Sequence, residues 1–90
     1  MRKSLTDLTI LITGAAGGLG QAYARQLLAL GARLILTDLD ENNLKNIYQP
    51  LKGSPNRILG LIGADISGRE GCRHLYEQTK QISPRVDMLI

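Results

Sequence analysis

Thr13-Gly14-Ala15-Ala16-Gly17-Gly18-Leu19-Gly20 is the stretch that decides how this chain folds. Leu8-Thr9-Ile10-Leu11-Ile12 stands before it, an apolar run with the length of a buried parallel strand. An amphipathic helical pattern follows. In a strand that empties through a glycine-rich turn into a helix, the backbone can approach a phosphate closely. The first amide groups of the helix have no helical partner and point at the negative charge. The stretch therefore predicts a pyrophosphate, and hence a dinucleotide, at this turn. A tight turn alone is the rival reading, but four glycines in seven residues exceed what it needs, because each costs conformational entropy. Two registers fit: Gly14, Gly18 and Gly20 as G-x-x-x-G-x-G, or Gly14, Gly17 and Gly20 as G-x-x-G-x-x-G.

Outward from the turn, strands and helices alternate. A first strand is predicted over 9–13. A helix starts near Gly18 with Leu19, Tyr23, Leu27 and Leu30 on its apolar stripe and Gln21 and Arg25 facing away; Gly31 stops it. A second strand covers 33–37. Asp40 caps a second helix with the stripe Leu44, Ile47, Tyr48 and Leu51, and Gly53-Ser54-Pro55-Asn56 breaks the chain. A third strand covers 58–64. Ser67-Gly68-Arg69-Glu70 matches a capping box for a third helix, which runs to Ile82 with Cys72, Leu75, Thr79 and Ile82 buried. Ser83-Pro84 ends it, and a fourth strand begins at Val86. Strict β-α alternation predicts an α/β fold: a Rossmann-type doubly wound parallel sheet in the order 3-2-1-4, with helices on both faces.

Three features beyond the glycines bear on chemistry. Asp38 closes the second strand, about 20 residues after the glycines. A carboxylate there accepts hydrogen bonds from both hydroxyls of an adenosine ribose and repels a 2′-phosphate. No Arg or Lys directly follows it, so NAD is expected over NADP. The alternative, a helix cap, is better filled by Asp40. Asp65-Ile66 follows the third strand, where the acid can accept from the adenine amine and the Ile can pack on the ring; a helix-entry acid before Ser67 is the competing reading. Tyr76 and Lys80 have Y-x-x-x-K spacing, which can lower a phenol pKa for proton transfer. Here Tyr76 is placed beside Cys72 on the buried side of its helix, which makes it packing and Lys80 a solvated cation. His74 is read as surface.

Composition narrows the classes. Ninety residues allow one domain, and with no Phe or Trp its core must be aliphatic. The net charge of +3 comes from scattered residues with no basic, aromatic-interleaved cluster, so nucleic acid is not an expected partner. The single cysteine, Cys72, excludes an intrachain disulfide and a multi-cysteine metal site, and it fits a reducing compartment. No stretch nears the ~20 apolar residues of a membrane span. The run after Arg2 and Lys3 is too short for a secretory leader. A cytoplasmic protein without membrane partners is expected.

The glycine stretch, Asp38, Asp65-Ile66 and the closing Val86-Asp87-Met88-Leu89-Ile90 together resemble the short-chain dehydrogenase/reductases over nearly the whole chain. Gln21-Ala22-Tyr23-Ala24-Arg25 is most similar to the shorter branch of that family. The resemblance implies cofactor roles for Gly14, Gly18, Leu19, Gly20, Asp38, Asp65 and Ile66. Ala16, Gly17 and Leu39, beside them, complete the candidate set. The resemblance also implies hydride transfer between an alcohol or carbonyl substrate and a nicotinamide, performed by a Ser and a Tyr-x-x-x-Lys lying far beyond residue 90. Residues 1–90 are thus expected to be a partial dinucleotide-binding domain, the N-terminal part of such an enzyme. No catalytic or metal-binding residue is assigned within them. The fourth strand would be an open edge, so self-association is expected. Two other classes stay open. One is a self-contained, non-catalytic nucleotide-binding module. The other is an S-adenosylmethionine-binding methyltransferase-like domain, which Thr13-Gly14 fits poorly.

Overall fold

The computed structural model describes Leu5, Thr6 and residues 8–51 and 56–90, and seven strands and α-helices lie among them. They are β1 (Thr9–Ile12), α1 (Gly18–Ala29), β2 (Arg33–Asp38), α2 (Glu41–Tyr48), β3 (Ile58–Gly63), α3 (Arg69–Ile82) and β4 (Met88–Leu89), with a 3₁₀ turn at Gln49–Leu51. Arg2 and Lys3, and the Gly53-Ser54-Pro55 part of the predicted chain break, lie outside the described residues. All strand pairs are parallel, in the order β3-β2-β1-β4, as the alternation predicts. β1 runs beside β2 from Thr9↔Arg33 to Ile12↔Leu36, and β4 joins its other side through Ile10↔Met88 and Leu11↔Leu89. The last strand is therefore shorter than expected and begins at Met88, not Val86.

Strand side chains alternate between the two faces. Ile10, Ile12, Leu34 and Leu36 pack against Ala24 of α1 and Leu44 and Tyr48 of α2. Leu11, Ile35 and Ile62 meet Leu75 of α3 on the other face, with Ile82 beside them. Each fully buried aliphatic contributes about 1.5–3 kcal/mol relative to exposure. Asp40 caps α2 as predicted, accepting from the amides of Asn42 and Asn43. Gly31 ends α1 with a φ of 91°, the left-handed conformation that favours glycine.

Three expectations are overturned. The buried stripe of α1 is Gly20 and Ala24, with Leu27 and Leu28 half-buried; Leu19 is 71% exposed, and Tyr23 and Leu30 are exposed as well. The helix lies on the sheet through its smallest residues, which lets it come close and pushes the large side chains to its flanks. In α3, Leu75, Thr79 and Ile82 turn inward as predicted, but Cys72 and Tyr76 are exposed, Tyr76 by 62%. They flank an apolar groove of about 510 Å³ between α3 and β4, which also reaches Thr13, Val86 and Leu89. Lys80 Nζ lies 5.5 Å from the centre of the Tyr76 ring, within cation–π range. Finally, no capping box forms at Ser67. The N-cap of α3 falls one residue later, on Gly68, which has no side chain to cap with; Ser67 donates its hydroxyl to Asp65, and Glu70 faces Arg73.

Because the strands are parallel, their C-terminal ends share one edge. Short hydrogen bonds lace that edge together: Thr13 N–H to the Ile90 carbonyl (2.8 Å), Ala15 N–H to Thr37 O (3.0 Å) and Ala64 N–H to Asp38 O (2.9 Å). At the opposite edge, Asp87 accepts from the Thr9 amide and from Arg85, which holds its carboxyl below the usual carboxylate range. No helix among the described residues is long and apolar enough to cross a membrane.

Candidate functional site

The turn from β1 into α1 starts at Gly14, whose φ of 63° an L side chain would strain. Gly17 is the N-cap, with extended backbone and no capping side chain. Gly18 opens the helix, and a Cβ built on it meets nothing within 4 Å. The Gly18, Leu19 and Gly20 amides precede the first i→i−4 bond, from Gln21 N–H to Gly17 O, and so have no helical carbonyl to donate to. Gly20 serves differently: a Cβ there would collide with the Gly14 carbonyl and Ala15 Cα. Gly14 and Gly20 belong to both registers found in the sequence. Of the two middle candidates, Gly18 faces open space, and a Cβ built on Gly17 would lie 3.5 Å from Gly14 O, an ordinary contact.

Asp38 lies at the end of β2, across from this turn. It does not cap α2, and its carboxylate is engaged by two backbone amides. Its Oδ2 accepts the Ala16 amide at 2.8 Å and its Oδ1 the Leu39 amide at 2.7 Å. A carboxylate has about four lone-pair sites, so it can still accept from a ligand. Gln21, expected to face away, folds back to donate to Ala16 O at 2.9 Å. Asp38 thereby holds the Ala15–Ala16 peptide through its N–H, and Gln21 holds the next peptide, Ala16–Gly17, through its carbonyl.

Asp65 and Ile66 sit in the β3–α3 loop. Asp65 Oδ1 accepts both the amide (3.0 Å) and the hydroxyl (2.6 Å) of Ser67. These bonds, the hydroxyl first, hold the Asp65 carboxyl below its ordinary pKa. Ile66 is exposed, and its carbonyl receives the Cys72 thiol. Sequence reasoning missed Gly71, the third residue of α3, where a Cβ would run into the Asp65 carbonyl. The signal was present, since Gly20 holds the same place in α1.

The structure brings half of the candidate set together. Gly14, Asp38, Leu39, Asp65 and Ile66 line one groove of about 280 Å³, shared with Thr13, Thr37, Ala64 and Ser67; Ala16, Gly17, Gly18, Leu19 and Gly20 do not line it. Asp38 and Leu39 come from the end of β2 and the residue after it, Asp65 and Ile66 from the β3–α3 loop. Ala16 is tied to Asp38 through its amide. Tyr76 and Lys80 line the separate groove beside β4, which meets the first only at Thr13 and Ile66.

A parallel sheet in this order, with a glycine turn after its central strand and an acid at the end of the next, is the Rossmann-type doubly wound arrangement. The sequence model of the short chain dehydrogenase family matches residues 8–90, and the chain belongs to that family. A curated relative, the short chain dehydrogenase/reductase dpmpG of Macrophomina phaseolina, is 34% identical over 87 residues, 97% of this chain and 50% of its own length. Two solved structures show the same fold. The Pseudomonas aeruginosa RhlG/NADP active-site complex is 32% identical with a TM-score of 0.85, covering 96% of this chain and 33% of that one. A short-chain dehydrogenase/reductase from Burkholderia phymatum in complex with NAD is 26% identical with a TM-score of 0.82, covering 98% and 31%. The chain thus spans about half the length of that curated relative and about a third of these solved structures.

Proposed function

We propose that this chain binds NAD along the C-terminal edge of its sheet and serves as the cofactor-binding part of an oxidoreductase. In such an enzyme, hydride passes between an alcohol or carbonyl carbon and the nicotinamide. One observation carries the reading: Gly14 of the glycine turn, Asp38 and the Asp65-Ile66 pair line a single groove, and Asp38 also accepts the Ala16 amide of that turn. The residues fit the cofactor. The amides of Gly18, Leu19 and Gly20 would hold the pyrophosphate. Asp38 would accept from the adenosine ribose hydroxyls, with Leu39 beside it. Asp65 would accept from the adenine amine while Ile66 covers the ring.

When bound, the nicotinamide supplies a hydride donor or acceptor. The residues of this chain bind and orient the dinucleotide and exclude the phosphorylated form. The Ser, Tyr and Lys of the reaction lie outside residues 1–90 in this reading. Relatives are solved with NAD and with NADP, and Asp38 is the ground for choosing NAD here. A 2′-phosphate beside its carboxylate would meet like charge and displace ribose hydroxyl bonds. Calorimetric titration with each dinucleotide tests the choice: NAD is expected to bind about ten- to a hundredfold more tightly. NADP binding as tightly as NAD would refute it.

A further inference from the structure

We infer that Tyr48 is a positioning residue for the cofactor turn: its hydroxyl, donated from α2 to the Ala15 carbonyl, sets the peptide that carries the Asp38 contact. The sequence reads Tyr48 only as part of the apolar stripe of α2. In the structure its side chain is fully buried, and its hydroxyl lies 2.6 Å from Ala15 O, a contact spanning 33 residues of sequence. Burial raises the Tyr48 pKa; Arg25 pulls it down and Asp38 pushes it up. The hydroxyl therefore stays a proton donor at neutral pH.

The geometry around one peptide unit gives the bond its consequence. The carbonyl of Ala15 and the amide of Ala16 belong to the same planar group and point in opposite directions. Tyr48 holds the carbonyl, and Asp38 Oδ2 holds the amide at 2.8 Å. The Ala15 amide is in turn fixed to Thr37 O at 3.0 Å. Rotation of the Ala15–Ala16 peptide would break the Tyr48 and Asp38 bonds together. It would also release the carboxylate that the cofactor reading assigns to the ribose. Ring packing alone would be served by phenylalanine, so the hydroxyl is explained by the turn it fastens. This role rests on the dinucleotide reading and adds to it a residue from outside the groove.

Tyr48→Phe keeps the ring and removes only the donor. Ile35→Val serves as the control, because it loosens packing on the opposite face without touching the turn. Amide hydrogen exchange and NAD titration are measured on both variants of the 90-residue chain. In Tyr48→Phe, exchange at the Ala16 amide is expected to accelerate while Leu34 and Leu36 in β2 stay protected. NAD affinity is expected to fall about tenfold. Ile35→Val is expected to lower the urea midpoint and leave NAD affinity unchanged. Wild-type exchange at Ala16 in Tyr48→Phe, unchanged NAD affinity there, or an equal affinity loss in Ile35→Val would each overturn the positioning role while NAD binding stands. A wild-type chain that binds neither NAD nor NADP overturns the dinucleotide reading and this role with it. Should Tyr48→Phe not fold, NMR of the wild type decides. A slowly exchanging Tyr48 hydroxyl proton is expected, and a hydroxyl proton that exchanges as fast as an exposed one overturns the inference.

Discussion

In both the β1–α1 turn and the β3–α3 loop, the third residue of the following helix is a glycine that makes room for the carbonyl six residues upstream: Gly20 against Gly14, and Gly71 against Asp65. Both helices also start at a glycine N-cap without a side-chain bond, unlike α2 with its Asp40. The two connections differ in what fastens them. The first is tied to distant elements: Ala15 to Thr37, Ala16 to Asp38, and Tyr48 to Ala15. The second is fastened mostly within itself, by Ser67 on Asp65 and the Cys72 thiol on Ile66. The turn assigned to the phosphates thus takes its shape from the packed domain, and the loop assigned to the adenine takes its shape from its own residues.

The shared geometry is the first thing to break. Gly20→Ala and Gly71→Ala each drive a methyl group into backbone that cannot swing aside. Each is expected to cost about 1–3 kcal/mol or more in urea melts. Gly68→Ala, where a Cβ meets nothing within 4 Å, is expected to stay near wild type. If Gly71→Ala proves as mild as Gly68→Ala, the likeness of the two connections fails.

The difference in fastening is sharpened next by two acids. Removing Asp38 takes away a charged acceptor and the partner of the Ala16 amide together. Asp38→Ala is expected to weaken NAD binding about ten- to a hundredfold. Asp65→Ala loses one exposed acceptor in a locally built loop and is expected to weaken it about two- to tenfold. Equal losses on calorimetric titration would contradict the contrast.

The smallest effect concerns pH. Ser67 holds the Asp65 carboxyl below its ordinary pKa, so the folded value lies under the unfolded one. Such a group stabilises the fold above its unfolded pKa of about 3.9, and that contribution fades as pH falls through the depressed folded value. The stability gap between wild type and Asp65→Ala is therefore expected to be present at neutral pH and to close in acid. A gap that widens in urea melts below about pH 4 would show that Ser67 does not favour the ionised form.

Much of this arrangement was legible in the chain. Apolar runs between turn residues gave the strand order, and Asp40 and Gly31 marked their helix ends correctly. Gly14, Asp38, Asp65 and Ile66, singled out by the glycine and acid spacing that a phosphate and a ribose would require, come together in one groove. The misreadings share a cause. Apolar periodicity counts large side chains, but α1 meets the sheet through Gly20 and Ala24, which carry little hydrophobic signal. Cys72 and Tyr76 fell on a helical stripe, yet that side of α3 borders the open groove beside β4. Ser67 had the spacing of a cap, but its hydroxyl donates to Asp65 two residues away, and the N-cap falls one residue later, on Gly68. The hold of Tyr48 on Ala15 has no local pattern, because its partners are distant in sequence and meet only after α2 has packed.

The central claim is that the β1–α1 turn is a cradle shaped in advance, whose open face at Gly18 receives the pyrophosphate. Gly18→Val tests it most directly. The position has helical backbone and empty space around its missing Cβ, so the variant is expected to keep the wild-type circular dichroism spectrum. The branched side chain would stand where the phosphates approach, so NAD titration is expected to show no binding in the range where wild type saturates. A folded Gly18→Val chain that binds NAD as tightly as wild type would contradict the claim and place the phosphates elsewhere.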